Sequence, residues 1–398
     1  MRIRRCAVLL LEPREEVGFD LEHLLAGGNG LRRECRWLAL APHLGAEVEV
    51  DAAERELLGA VSPSEWIDAR ELATDAAAVL KRLLKEGLLI GSGKRHAAHR
   101  ERDERLRATY WHPLAATLHA FTRWRGADAV ANMRDSGTET AQQMREVLGA
   151  PPVEAADRGG NAHSLPLPRS TPTAFDELLA RRATCRNFNA ARALPHALFA
   201  QLLDRVFAAK AQVRVSDDTV FLKKTSPSGG GLHPVEAYLI VQHVEGVAPG
   251  LYHYRAAEHA LDPMPSPDGP LREFVMQAVA QQHWFADAHV LVLLSPRFDR
   301  TNWKYRHHAK AYRAVALEAG HLSQTLYLSA TEAGLGAFIT GAINEVEVEQ
   351  AFGLDPICQG ALAICGFGWR GEVMETTELD PAGEIWVSEA EAAGQLPD

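Results

Sequence analysis

The segment VLVLLSPRF (290–298) and the following WKYRHHAKAYRAVALEAGHLSQTLYLSA (303–330) predict an apolar strand and then a long amphipathic helix over 309–333. Lys304 and Tyr305 lie side by side just before that helix. Lysine and tyrosine ordinarily lose a proton only at about pH 10, so they accept protons near neutral pH only in a buried or cationic setting. The pair is therefore either an acid/base apparatus or a solvated corner of the molecule.

Composition and charge narrow the classes of protein to consider. The 398 residues are 46% hydrophobic and 24% charged, which is typical of a globular chain of two or three domains. A net charge of −10 argues against a nucleic-acid partner, because such binders neutralise phosphates with cations. The five cysteines are spread out with no C-x-x-C spacing, so buried free thiols are expected and no metal site is predicted.

The N-terminal segment MRIRRCAVLLLEPREE (1–16) resembles a signal peptide only briefly. Its apolar run is short, ends in charged residues and has no small-residue cleavage site, so it predicts a first strand. No run approaches about 18 uninterrupted apolar residues, so no membrane span is expected. The cytoplasm is the expected location.

Three segments differ in pattern along the chain. Residues 1–95 have strand patterns at 6–12 and 36–41, then two helices with acidic capping-box starts, which predicts a winged-helix-like domain suited to binding a peptide. Residues 96–170 predict a helical connector that ends in a Pro/Gly-rich linker. Residues 171–398 alternate helices and strands, which predicts an α/β or α+β sandwich.

RRATCRNF (181–188) is a candidate phosphate-binding segment. It places Arg182, Thr184 and Arg186 at alternate positions, and an extended chain sends alternate side chains to one side. Two guanidinium groups and a hydroxyl on one side suit a phosphate. Taken alone, a solvated basic helix end is the commoner explanation.

TSPSGGGLHP (225–234) and GLGAFITGAI (334–343) are glycine-bearing connections beside predicted strands. Glycines let a backbone approach a flat ligand closely, although an ordinary loop is favoured for either segment alone. Neither a Gly-Lys-Ser/Thr sequence nor a G-x-G-x-x-G fingerprint accompanies them, so a P-loop and a Rossmann nicotinamide site are not predicted.

In this order and spacing the three segments resemble the flavin-binding segments of the nitroreductase superfamily, over roughly residues 171–398. SPSGGGLHPVEAYLIV, GLYHY and WKY ahead of AYRAVALEAGHLSQTLYLSATEAGLGAF are similar in particular to SagB-type dehydrogenases of thiazole/oxazole-modified peptide pathways. The resemblance implies an α+β fold with a central mixed or antiparallel sheet flanked by helices. It also implies FMN as cofactor and a homodimer with the flavin at its interface.

The resemblance assigns FMN and catalytic roles to particular positions. The FMN phosphate and ribityl chain would be held by Arg182, Ala183, Thr184 and Arg186, with Arg370 as a C-terminal contact. The ring would be approached from the partner subunit by Ser226, Pro227, Ser228, Gly229 and Gly230, and covered on its other face by Thr340, Gly341 and Ala342. The family's Lys-Tyr pair falls on Lys304 and Tyr305. Ala183 and Thr184 depart from the commoner wording of the first motif, which implies a divergent subgroup.

The implied reaction is oxidation of an azoline ring in a ribosomally made peptide to an azole. FMN would accept a hydride, Lys304 or Tyr305 the proton, and dioxygen would reoxidise the flavin. A cyclodehydratase is an implied partner. Two alternatives stay open: a generic NAD(P)H-dependent flavin reductase of nitro compounds or quinones, and a non-catalytic peptide-binding protein that has lost its cofactor.

Two histidine-containing pairs are weaker candidates for metal ligands. Glu318-x-x-His321 has a di-metal spacing, but no second copy is apparent and a polar helix face is favoured. His307 and His308 are adjacent, so on a helix they would not face the same way, and a place at a substrate mouth or in solvent is favoured.

Overall fold

The computed structural model describes residues 1–72, 77–156, 165–380 and 383–386. It contains two compact units, each made of separate stretches of the chain. The first unit comprises residues 1–123, 297–315 and 355–360, and the second comprises residues 124–296, 316–354 and 361–398. These units divide the chain at other positions than 95 and 170, and the three segments 1–95, 96–170 and 171–398 stay a prediction.

The regular elements are numbered in chain order. The strands are β1 (Arg2–Arg5), β2 (Leu10–Phe19), β3 (Leu31–Leu40), β4 (Glu47–Glu49), β5 (Ile67–Asp68), β6 (Leu89–Gly91), β7 (Ala211–Ser216), β8 (Thr219–Lys223), β9 (Val235–Val241), β10 (Gly250–Arg255), β11 (Ala260–Pro263), β12 (Val290–Pro296), β13 (Leu335–Thr340) and β14 (Ala363–Trp369). The helices are α1 (Leu21–Leu25), α2 (Ala52–Ala60), α3 (Ala77–Glu86), α4 (Ala97–Ala108), α5 (Pro113–Phe121), α6 (Ala129–Asp135), α7 (Ala141–Leu148), α8 (Ala174–Ala180), α9 (His196–Val206), α10 (Leu271–Ala278), α11 (Phe298–Lys304), α12 (Ala311–Glu332) and α13 (Glu345–Ala351).

The first unit contains two small antiparallel sheets, in the orders β5-β1-β6 and β2-β3-β4. The predicted capping box at Asp51 is present, since Asp51 accepts the Glu54 N–H and Glu54 returns to the Asp51 N–H. The second predicted box is wrong, because Asp68 starts only a 3-10 turn and α3 begins later. The winged-helix-like description of this region stays a prediction.

The strand predicted over 6–12 is only partly right, because Leu10, Leu11 and Glu12 belong to β2 and the residues before them do not. The chain forms β1 at 2–5 and β2 at 10–19, while the buried Cys6 and Val8 carry it between them into the core of the first unit. In the residues between β1 and β2, the apolar run therefore reflects burial and not pairing in a sheet. The turn-rich GGNG (27–30) does lie between β2 and β3, which pair as a long hairpin.

The second unit is built on a six-stranded sheet in the order β11-β10-β9-β12-β14-β13, with every neighbouring pair antiparallel. β12 lies inside it, where Leu293 pairs with Tyr238 of β9 and with Ile364 of β14. All seven residues of β12 are buried, as the apolar run predicts. The α+β fold with an antiparallel sheet is therefore confirmed.

Helices cover the sheet of the second unit. Leu291 and Leu293 pack in one cluster with Phe274 and Val275 of α10 and with Phe352, which follows α13. The predicted helix over 309–333 is α12, and its residues from Ala316 onward belong to this unit. Among the described residues, no helix combines the length and apolar character that crossing a membrane needs.

Candidate functional site

The segment after α8 is extended and alternates in exposure, as predicted. Arg182, Thr184 and Arg186 are partly exposed, whereas Ala183 and Cys185 between them are buried. The segment lies along β13, where Cys185 donates its N–H to the Ala337 carbonyl at 2.8 Å. The three polar side chains thus share one face. Ala183 points its side chain to the other face, so it could reach a ligand only through its main chain.

Tyr327 of α12 links this segment to β13. Its phenol oxygen accepts the Ile339 N–H at 3.1 Å and lies 3.0 Å from the Thr184 hydroxyl. The Arg182 guanidinium carbon is 5.5 Å from the centre of the same ring. Burial raises the pKa of Tyr327, so the phenol stays protonated. The sequence reasoning gave Tyr327 no role, because helical spacing reveals its face and not its distant partners.

Arg370 is engaged by a buried carboxylate. Glu378 forms an ion pair with Arg370 and accepts N–H groups from Arg186 at 2.5 Å and from Asn187 at 3.1 Å. The Trp386 indole N–H also donates to Glu378, at 2.9 Å. Burial alone would raise the pKa of Glu378, but these donors hold it below its ordinary value. The phosphate contact assigned to Arg370 stays a prediction, and the guanidinium already has a carboxylate partner.

The loop TSPSGGG is held by residues of α12. Ser226 and Thr325 hydroxyl oxygens lie 2.9 Å apart, and the Pro227 carbonyl is 3.3 Å from Nδ1 of His321. The Ser228 hydroxyl donates to the carboxylate of Glu318. The Glu318-x-x-His321 spacing thus serves loop contacts, and no group of three His, Cys, Asp or Glu side chains in the described ranges could hold a metal.

The glycines of this loop form a tight turn with space beside Gly231. Residues 229–231 form one 3-10 turn in which Gly230 has φ +67° and Gly231 has φ +69°, values that side-chain-bearing residues rarely adopt. A Cβ built on Gly231 would meet nothing within 4 Å. The backbone at Gly231 is therefore open to a flat group, and the predicted use of Gly229 and Gly230 stays a prediction.

Hydrogen bonds of Thr340 and Gln282 hold the turn after β13. The Thr340 hydroxyl donates to the Gln282 side-chain oxygen at 3.2 Å and accepts the Ala342 N–H at 3.2 Å, while Gln282 donates to the Ala342 carbonyl at 2.7 Å. A Cβ on Gly341 would again meet open space. The side chain of Gln282 therefore holds the backbone of Thr340–Gly341–Ala342, the segment predicted to lie over one face of the flavin ring. The sequence did not reveal this role of Gln282.

Lys304 and Tyr305 belong to the first unit. Lys304 is the last residue of α11 and is exposed, with its ammonium nitrogen 5.6 Å from the centre of the half-buried Tyr305 ring. The chain just beyond is fastened, since His307 donates its N–H to the Tyr110 carbonyl at 2.9 Å. Nδ1 of His307 lies 3.2 Å from the Trp111 carbonyl oxygen. His307 is thus an anchor of α11 rather than a metal ligand paired with His308.

These segments match those of a known family. Residues 179–369 match the profile of the nitroreductase family. This segment is a nitroreductase-family domain. The recognition of that superfamily from the glycine and arginine segments is confirmed. Family membership indicates oxidoreductase chemistry, and the extended arginine face and the open glycine turn of this domain could hold a phosphate and a flat ring.

Known relatives fall into two groups. The nitroreductase-type protein MJ1384 of Methanocaldococcus jannaschii is 28% identical over 195 residues, covering 48% of this chain and 90% of that protein. The trifolitoxin-processing protein TfxB of Rhizobium leguminosarum bv. trifolii is 30% identical over 149 residues, covering 36% of this chain and only 38% of that protein.

A solved structure shows the same fold beyond the nitroreductase domain. A chain of the Escherichia coli microcin synthetase McbBCD complex with truncated pro-MccB17 bound superposes with a TM-score of 0.50 at 18% identity. The match covers 68% of this chain and 94% of that one. The likeness at this identity concerns the fold.

Proposed function

We propose that this protein is an FMN-dependent dehydrogenase that oxidises azoline rings of a ribosomally made peptide to azoles, with dioxygen as the final electron acceptor. The observation that carries the proposal is that a chain with a nitroreductase-family domain also matches a peptide-processing protein, TfxB, in sequence. The fold shared with a synthetase complex that holds its precursor peptide supports the same substrate class.

The residues of the second unit fit FMN. Arg182, Thr184 and Arg186 present two cations and a hydroxyl on one partly exposed face, which suits a phosphate monoester. The open main chain at Gly231 and Gly341 suits close approach of a flat ring. When bound, FMN supplies a two-electron acceptor for carbon–hydrogen bond oxidation. We further propose that two copies of the chain complete this site.

Lys304 and Tyr305 would handle the proton. Azoline oxidation removes a hydride and a proton from adjacent ring carbons, so a protein base must take the proton. Lys304 is exposed at the end of α11, where a peptide could reach it, and Tyr305 packs beside it. A lysine accepts a proton near neutral pH only in a buried or cationic setting, so we propose that bound substrate or a second chain covers Lys304 during turnover. A cyclodehydratase that supplies the azoline would be the preceding enzyme and a potential partner.

The first test measures flavin binding and peptide oxidation. The purified protein should be yellow and should remove about 2 Da, one pair of hydrogens, from each azoline of a cyclodehydrated precursor peptide. Lys304→Ala should keep FMN and lose at least about a hundredfold of the rate, the usual contribution of a positioned general base. The matched control is Lys310→Ala, at an exposed lysine beyond the anchor at His307.

Two results would reject parts of this proposal. A Lys304→Ala protein with full activity would remove the base from the mechanism. A colourless protein that stays colourless after FMN is added would favour the cofactor-free peptide-binding alternative.

A generic flavin reductase is the second candidate, because the match to MJ1384 covers 90% of a nitroreductase-type protein. Anaerobic mixing with NADPH separates the two activities. Rapid bleaching of the flavin, with nitro compounds or quinones reduced afterwards, would favour the reductase over the peptide oxidase.

A further inference from the structure

Glu318 is a buried carboxylate directed at the glycine loop. Its side chain lies on α12 and the residue is only 2% exposed. Oε2 accepts the hydrogen of the Ser228 hydroxyl, and Oε1 accepts the Val235 N–H at 3.2 Å. The carboxylate thus binds both sides of the 229–231 turn, just before it at Ser228 and just after it where β9 begins.

A second hydrogen bond closes this arrangement. The Ser228 oxygen accepts the His233 N–H at 2.9 Å, so Ser228 passes the constraint from Glu318 on to the returning strand of the loop. The turn between these fixed points contains Gly230 and Gly231, both with positive φ angles, and a Cβ built on Gly231 would meet nothing within 4 Å. If the hydrogen bonds from Ser228 and Val235 to Glu318 were lost, this turn should become less ordered than a turn of other residues would. The reason is that the glycine backbone is the least restricted.

A carboxylate suits these partners, because both of its oxygens accept and here they receive the Ser228 O–H and the Val235 N–H. An amide would have to reverse the bond to Ser228, donating its NH₂ group to the hydroxyl oxygen. Burial raises the pKa of Glu318, while Ser228, Val235 and the charge of Lys224 act in the opposite direction. Burying a carboxyl group costs free energy unless its oxygens are hydrogen-bonded, and here both oxygens are.

We infer that Glu318 is a positioning residue that, through Ser228 and the Val235 N–H, holds the 226–235 loop in the shape that receives the flavin ring. The identity of the ligand rests on the proposed FMN function. The positioning of the loop by Glu318 rests on the hydrogen bonds to Ser228 and Val235. It also gives a role to the Glu-x-x-His spacing in the sequence that does not involve a metal.

The test compares Glu318→Gln, Ser228→Ala and the double variant. Each single change should weaken FMN binding about tenfold, as expected for one buried hydrogen bond to a charged group. The double variant should be no weaker than the weaker single one, because both act through one linkage. The absorbance bands of the bound flavin should shift in the same direction in all three. Glu332→Gln, an exposed residue of the same helix paired with Arg205, is the control and should leave binding unchanged.

Hydrogen exchange of the flavin-free protein separates this inference from the proposed function. Amides of 229–235 should exchange faster in Glu318→Gln, and those of β12 should not. Faster exchange in a protein that binds no FMN would keep the loop role and reject the flavin. Unchanged exchange and unchanged FMN affinity in Glu318→Gln, or losses from the two single variants that simply add, would overturn the inference. If Glu318→Gln fails to fold, Ser228→Ala alone must still loosen 229–235.

Discussion

Tyr327 shows how one phenol orders two backbone segments. Its oxygen accepts the Ile339 N–H and also shares a hydrogen bond with the Thr184 hydroxyl, at 3.0 Å. The Arg182 guanidinium lies over the same ring. Two of the three polar side chains proposed to hold the FMN phosphate therefore depend on a residue that would not itself touch the phosphate.

Tyr327→Phe should loosen the proposed phosphate face. It leaves the Ile339 N–H without its acceptor, which costs about 1–3 kcal/mol of unfolding free energy, and it frees the Thr184 hydroxyl to rotate. FMN affinity should fall severalfold with it. Urea unfolding and flavin titration measure the two effects. Tyr252→Phe, which loses only an exposed bond to the Ala248 carbonyl, should change neither by more than about 0.5 kcal/mol. Equal behaviour of the two variants would contradict the role of Tyr327.

At the scale of elements, α12 joins two of the proposed flavin segments. Glu318, His321 and Thr325 recur at helical spacing and contact the loop at 226–235, while Tyr327 contacts the segment after α8 and β13. The helix itself was predictable from its periodicity. Its partners were not, because they lie about 90 and 140 residues away and periodicity specifies only a face.

Two elements were not predicted from the sequence, the hairpin of β7 and β8 and the helix α11. The hairpin of β7 and β8 was not predicted, although AQVRVS alternates apolar and polar residues; every residue of β7 is exposed in the structure, so its apolar side chains mark no buried face. α11 was missed because FDRTNWK spans only seven residues and follows Arg297, which makes no side-chain cap. The glycine loop and the arginine segment were found because glycine runs and alternate cations carry their meaning locally.

The contact between β13 and the arginine segment depends on Gly336. A Cβ there would lie 2.4 Å from the sulfur of the buried Cys185, closer than real contacts allow. Gly336→Ala should therefore destabilise the protein by about 1–3 kcal/mol and weaken FMN binding, since Cys185 and its neighbour Thr184 must move. Thermal unfolding and flavin titration provide the measurements.

Gly320→Ala is the matched control for Gly336→Ala. Gly320 is an exposed residue within α12 whose Cβ would meet open space, so alanine should stabilise by about 0.5–1 kcal/mol. If both alanine variants were equally stable, the close approach of β13 to Cys185 would not be as described.

At the scale of the whole molecule, the first unit carries two buried histidines kept neutral. Burial lowers the pKa of His119 to about 3 and that of His43 to about 4. His119 packs among Trp111, Phe298 and Tyr312, and Phe298 is the first residue of the helix that ends at Lys304. The stability of this unit therefore bears on the position of the proposed base.

Acidification should destabilise the first unit, because its two buried histidines stay neutral in the folded chain. Below the unfolded value of 6.5 the unfolded chain binds protons that the folded chain does not, so stability is full above that pH and falls as pH drops toward about 3. For His119 alone the loss reaches about 3 kcal/mol near pH 4, at roughly 1.36 kcal/mol per unit. Hydrogen exchange of the β6 amides, followed from about pH 7 to about pH 4, would measure this loss of stability. His119→Gln should flatten that slope, and the same change at exposed His196 should not. If the dependence of stability on pH did not change in His119→Gln, His119 would take up its proton without unfolding. The packing of Phe298, the first residue of α11, would then persist in acid.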